Sequence, residues 1–71
     1  MDFSERLVSL RKGRGLTQKD VYDGIHVKGP SYQRYEYGRV PAAHILVLLA
    51  DYFDVSIDYL MCRTDNPAVN R

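Results

Sequence analysis

Residues 17–38 read TQKDVYDGIHVKGPSYQRYEYG, a segment with two helix starts and two stops. Thr17 can cap a helix through its hydroxyl, and Asp20, three residues on, can return the bond in a capping box. Val21 and Ile25 then form an apolar i, i+4 pair, and Gly24 and His26 mark a stop. Gly29-Pro30 reads as the second start. Gly29 is acceptable as N-cap, and Pro30 suits N1, where its missing N–H costs nothing. From there Tyr32, Tyr35 and Glu36 share one face. Pro30, Gln33, Arg34 and Tyr37 share the opposite one. Gly38 ends the helix. The segment therefore predicts two short helices joined by a few residues, the first with an acid in its opening turn, the second with hydrogen-bond donors on an outer face.

Outward from this pair, the flanking sequence is also helical. Phe3, Leu7 and Leu10 fall at i, i+4, i+7, with Asp2 as N-cap and Glu5 as its capping-box partner. The GRG of residues 13–15 should stop that helix. Pro41 predicts the opening of a fourth helix as an N1 proline, with Leu46, Val47, Ala50 and Phe53 as its core stripe. After a break at Asp54, Ser56 can cap a last short helix whose apolar positions are Ile57, Leu60 and Met61. No β alternation of useful length appears. The fold class expected is all-α, a compact bundle of five helices over residues 1–63. Residues 64–71, polar and carrying Pro67, are expected to fray as a flexible tail.

Seventy-one residues allow one domain. With 45% hydrophobic and 27% charged residues, the composition is that of an ordinary folded domain. The single Cys62 cannot form an internal disulfide, and with two separated histidines it cannot complete a metal cluster. No metal or cofactor is expected. Nor is an enzyme, because no nucleophile–base pair or carboxylate pair appears. No apolar run reaches the roughly 18 residues of a membrane span, and the N-terminus lacks a signal-peptide core. A cytoplasmic, nucleoid-associated protein is the expectation. The net charge of +1 hides an asymmetry. Residues 1–40 hold eight Lys/Arg against five Asp/Glu, whereas residues 41–62 hold three Asp and no Lys or Arg. One side of the molecule could therefore face a polyanion.

The spacing of the two central helices is that of a helix-turn-helix. The order of FSERLVSLRKGRGLTQKDV, RYEYG and LLADYFDVSIDYL resembles the lambda-repressor-like DNA-binding domains of bacteria and phages, over residues 2–62. The resemblance implies a five-helix domain that binds duplex DNA as a homodimer on a roughly palindromic site, with its third helix in the major groove. It places Gln18 at a backbone contact that also braces the recognition helix. It places Lys28, Gly29, Pro30, Ser31, Gln33 and Arg34 on or beside the positions that reach base edges or nearby phosphates. Tyr37 and Arg39 fall where the following loop meets the backbone. Arg11 and Glu36 fall on an internal salt bridge.

The chain departs from that pattern inside the motif. A small residue usual in the second helix is Tyr22, a turn glycine is His26, and a capping Ser or Thr is Lys28. Gly29 and Pro30 cannot donate to a base, so direct readout would fall on Gln33, suited to adenine, and Arg34, suited to guanine. Pro30 could touch a thymine methyl. Tyr32 and Tyr35 are read as core. On the fourth helix, Ile45, Leu48 and Tyr52 form an apolar stripe off the expected core face, which suggests a dimer or partner surface. The reading is a transcriptional regulator, most simply a repressor. The rival is an interaction module on the same fold, such as an antitoxin or antirepressor, with specific DNA binding weakened or lost.

Overall fold

The computed structural model describes residues 1–69, and those residues form five helices and no strand. The helices are α1 (Phe3–Gly13), α2 (Gln18–Gly24), α3 (Gly29–Glu36), α4 (Ala43–Phe53) and α5 (Ile57–Leu60). Helix α3 packs on α1 and α2, and α5 packs on α4 and α1. Two full capping boxes set the starts of α1 and α2. Asp2 accepts from Glu5 N and Thr17 from Asp20 N, and each acid bonds back to its N-cap. Ser56 caps α5 through Tyr59 N at 2.9 Å. Such caps answer the helix's own orphan N–H groups, and each is worth about 1 kcal/mol.

The core gathers Phe3 and Leu7 of α1, Val21 and Ile25, Tyr32 of α3, Leu49, Ala50 and Phe53 of α4, Val55 and Leu60. Burying one large apolar side chain of this kind contributes roughly 1.5–3 kcal/mol. The core reverses part of the expected α4 stripe. Val47 is exposed and Leu49 takes its place in the core, because α4 is apolar at every position from Ile45 to Ala50 and only the elements packed on it select a face. The outer stripe also changes. Ile45 and Tyr52 pack against the core, so of the three residues read as a partner surface only Leu48 is exposed. Ile57, expected as an apolar contact of α5, is exposed as well.

Two helix starts are corrected. Lys28, not Gly29, is the N-cap of α3, at φ −69° and ψ 142°, without a side-chain cap bond. Gly29 is then N1 and Pro30 N2. Helix α4 begins at Ala43 with Ala42 as N-cap, so Pro41 precedes the helix and is buried. Between α2 and α3, His26 adopts φ 59°, a left-handed conformation that favours glycine.

Gly29 at the start of α3 lies in a close packing contact. A Cβ at Gly29 would lie 3.2 Å from two carbons of the Tyr22 ring. The tyrosine that replaces a small residue in α2 thus lies against a glycine in α3. A second pair of the same kind joins α2 to α4, where a Cβ at Gly24 would sit 2.3 Å from a Tyr52 ring carbon. In the tail segment, Pro67 O accepts from Ser56 N at 3.0 Å, and Asp65 lies 3.7 Å from Arg6. Asn70 and Arg71, also assigned to the tail, lie outside the described residues.

Candidate nucleic-acid interface

The inner face of α3 is held tightly. Tyr32 is fully buried, its ring 6.2 Å from that of Tyr22 and 6.4 Å, edge-on, from that of Tyr35. Tyr35 is half-buried, at the rim of the core rather than within it. Buried Ser4 of α1 donates its hydroxyl to Tyr35 O at 2.6 Å. Sequence reasoning passed over Ser4, because a serine on an apolar helix face carries no signal of its partner.

The C-terminal end of α3 is fixed by charge. Arg11 meets Glu36 through two bonds, Nε to Oε2 at 2.7 Å and Nη2 to Oε1 at 3.1 Å. The two side chains are only 12% and 4% exposed. Arg11 Nη1 also donates to Leu16 O at 3.0 Å, and Gln18 Nε2 donates to Glu36 Oε1 at 3.0 Å. Burial alone would push the Glu36 carboxyl up. The bonds from Arg11 and Gln18, with the Tyr32 hydroxyl beside them, outweigh it and hold the group below its ordinary value. The Tyr32 hydroxyl itself is pushed up, chiefly by burial and then by the Glu36 carboxylate. One carboxylate thus ties α1, the start of α2 and the end of α3 into a single frame.

The outer face of α3 is open. Lys28, Pro30, Gln33 and Arg34 are exposed, Ser31 is half-buried, and Tyr37 is 83% exposed just past the helix end. Arg39 is exposed in the loop that follows, its N–H bonded to Arg34 O at 3.0 Å. Lys28, Arg34 and Arg39 make no ion pair among the described residues, whereas Lys19 is paired with Asp23 at 2.5 Å on α2. The structure therefore brings six of the eight residues singled out for DNA onto one exposed surface. Ser31 lies at its edge. Gln18 is set back, half-buried against Glu36.

Beside α3 lies a shallow cleft of about 350 Å³. Its walls include Ser31 and Arg34 of α3, Arg39 and Pro41 of the loop, and His44 of α4. Ala42 offers no side-chain acceptor, so α4 begins without a side-chain cap, and in its first turn the Ile45 N–H bonds back to Ala42 O at 3.0 Å. A helix start without a side-chain cap and two arginines favour an anion there. His44 carried no sequence signal beyond that of a surface residue, because its place at the cleft depends on where α4 begins.

A family model described as helix-turn-helix matches residues 7–60. The chain is 38% identical over 68 residues to YqaE, an HTH-type transcriptional regulator of Bacillus subtilis, covering 94% of this chain and 59% of the relative. It is 39% identical over 64 residues to RstR, the cryptic phage CTXphi transcriptional repressor of Vibrio cholerae, covering 89% and 57%. A relative at 32% identity over 62 residues is the HTH-type transcriptional activator BcrR of Enterococcus faecalis, where the match covers 86% of this chain and 30% of the activator. The protein belongs to the lambda-repressor-like helix-turn-helix family of transcriptional regulators. The chain spans somewhat more than half the length of the first two relatives. No helix among the described residues is long and apolar enough to cross a membrane.

Proposed function

We propose that this protein is a sequence-specific regulator of transcription that binds duplex DNA as a homodimer, with α3 in the major groove. The observation that carries the reading is the contrast between the two faces of α3. One face is locked by Tyr32 and Glu36, and the other presents Lys28, Gln33, Arg34 and, just beyond, Tyr37 and Arg39 to solvent, with the three cations making no ion pair among the described residues. Exposed, unpaired cations beside a rigid helix suit phosphate contacts that position and base contacts that specify. Gln33 and Arg34 carry the base readout. Lys28, Tyr37 and Arg39 serve the backbone, with Gln18 bracing α3 through Glu36. The cleft at the start of α4 suits a phosphate of the same duplex. Repression is the simplest mode, by blocking access to the bound site, and the relatives include both a repressor and an activator.

The test is selection from a random duplex library with purified protein near physiological salt, which suppresses the purely electrostatic component. An enriched palindrome with half-sites about one helical turn apart supports a dimeric, sequence-specific regulator. No enrichment by a folded protein would move the assignment to a protein-interaction module. That second reading draws on Val47 and Leu48, neighbours on α4 that are 44% and 41% exposed. The same pair serves as the dimer contact in the primary reading. Leu48→Glu should shift the protein toward monomer in sedimentation, and an unchanged distribution would remove this surface from the interface.

A further inference from the structure

Gly29 lacks a side chain at a position where the exposed face of α3 begins, yet its space is not empty. A Cβ built on Gly29 would meet Tyr22 Cε2 and Cζ at 3.2 Å and the Tyr22 hydroxyl oxygen at 3.4 Å. The distal end of a side chain from α2 therefore stands in close contact with the position a Cβ at residue 29 would take. Tyr22 is half-buried, its ring lodged against the core at 6.2 Å from the Tyr32 ring. Its hydroxyl makes no hydrogen bond among the described residues. An aromatic ring seated on a core, with a polar tip left free, is a stiff way to present a donor.

The surroundings of that hydroxyl favour an acceptor that carries negative charge. Lys28 next to Gly29 is exposed and makes no ion pair among the described residues. The N-terminus of α3 has no side-chain cap, and Pro30 supplies no N–H. Asp23, next to Tyr22 in α2, is paired with Lys19. We propose that the Tyr22 hydroxyl is a DNA-contacting group, donating to a backbone phosphate beside the start of α3 in place of the side chain that Gly29 lacks. The proposal rests on the DNA-binding reading above and adds a contact from α2 that the motif's usual small residue could not make. It also accounts for Tyr22 and Gly29 together, since a Cβ at residue 29 would press on the ring at 3.2 Å and push it aside by a few tenths of an ångström.

The experiment measures binding of wild-type protein and Tyr22→Phe to the selected duplex and to an unrelated duplex, alongside thermal melting. Phenylalanine keeps the ring and its packing and removes only the donor. A hydrogen bond to a charged partner supports an expected loss of about tenfold on both duplexes. The selected motif and the melting temperature should be unchanged, because phosphate contacts carry no sequence information. Equal affinity of Tyr22→Phe and wild type for the selected duplex would overturn the proposal. So would a changed base preference, which would make the contact one to a base. If the wild-type protein binds no duplex at all, the DNA-binding reading fails first and the proposal with it.

Discussion

Arg11→Ala is expected to lower the unfolding free energy by about 3–5 kcal/mol, the range for removing one partner of a buried ion pair. The substitution leaves the Glu36 carboxylate, 4% exposed, with Gln18 as its one remaining side-chain donor of good geometry. It also frees Leu16 O at the end of the α1–α2 connection. In a domain this small each kcal/mol moves the melting temperature by roughly 4–8 °C, so the shift should exceed about 12 °C. Replacing both partners by apolar residues of similar volume should recover much of the loss, since the cost comes from stranding a charge. An unchanged melting temperature in Arg11→Ala would show that the pair does not tie the helices together.

The same pair gives the stability a pH dependence with a definite sign. The folded Glu36 carboxyl lies below its ordinary value. Its contribution is therefore fully present above the unfolded carboxylate pKa of about 4.3 and is lost as pH falls through the folded value. Glu36→Gln should accordingly lose less stability than wild type on acidification, compared by denaturant melts at neutral pH and in acid. Parallel losses in the two proteins would assign the acid sensitivity to other groups.

Arg34→Ala carries the second large expectation, on binding rather than stability. An arginine paired bidentately with guanine supplies about 1–3 kcal/mol of discrimination, roughly a 5- to 150-fold loss when removed. Arg34 is exposed and makes no internal ion pair, so its loss should leave the fold intact. Affinity for the selected duplex should fall far more than affinity for an unrelated one, and selection should relax at a single base pair. An equal loss on both duplexes would refute base readout by this residue and reassign it to the backbone, beside Arg39 in the cleft.

The geometry around Arg34 leaves few residues for the proposed base readout. Gly29 offers none because it has no side chain, with the Tyr22 ring 3.2 Å from where a Cβ would lie, and Pro30 has only an apolar ring to present. Helix α3 is short, eight residues, and is held from behind by Tyr32, Ser4 and Glu36. Rigidity of this kind fixes the donors in place before binding, which lowers the ordering cost of forming the complex.

The features legible in the sequence are those set by neighbours three or four residues apart. The boxes at Asp2 and Thr17, the cap at Ser56 and the stop after Gly13 are local hydrogen-bond and backbone-conformation problems, and each is solved within one turn of helix. The helix-turn-helix and the exposed face of α3 follow from the same short-range periodicity. The order of the motif segments was specific enough to imply the family.

What only the tertiary structure decided is which of several equivalent faces is buried and which helix start is used. In α4, six consecutive apolar residues leave the core face undetermined, and the choice of Leu49 over Val47 comes from the packing of α4 in the bundle. Ile45 and Tyr52 turn inward for the same reason, with Gly24 making room for the Tyr52 ring. Lys28 caps α3 although its side chain cannot accept a backbone N–H, because the cap is set by its extended backbone at φ −69° and ψ 142°. Local hydrogen bonds are written in adjacent residues. Burial and close approach depend on partners distant in the chain, and the chain must fold before those partners meet.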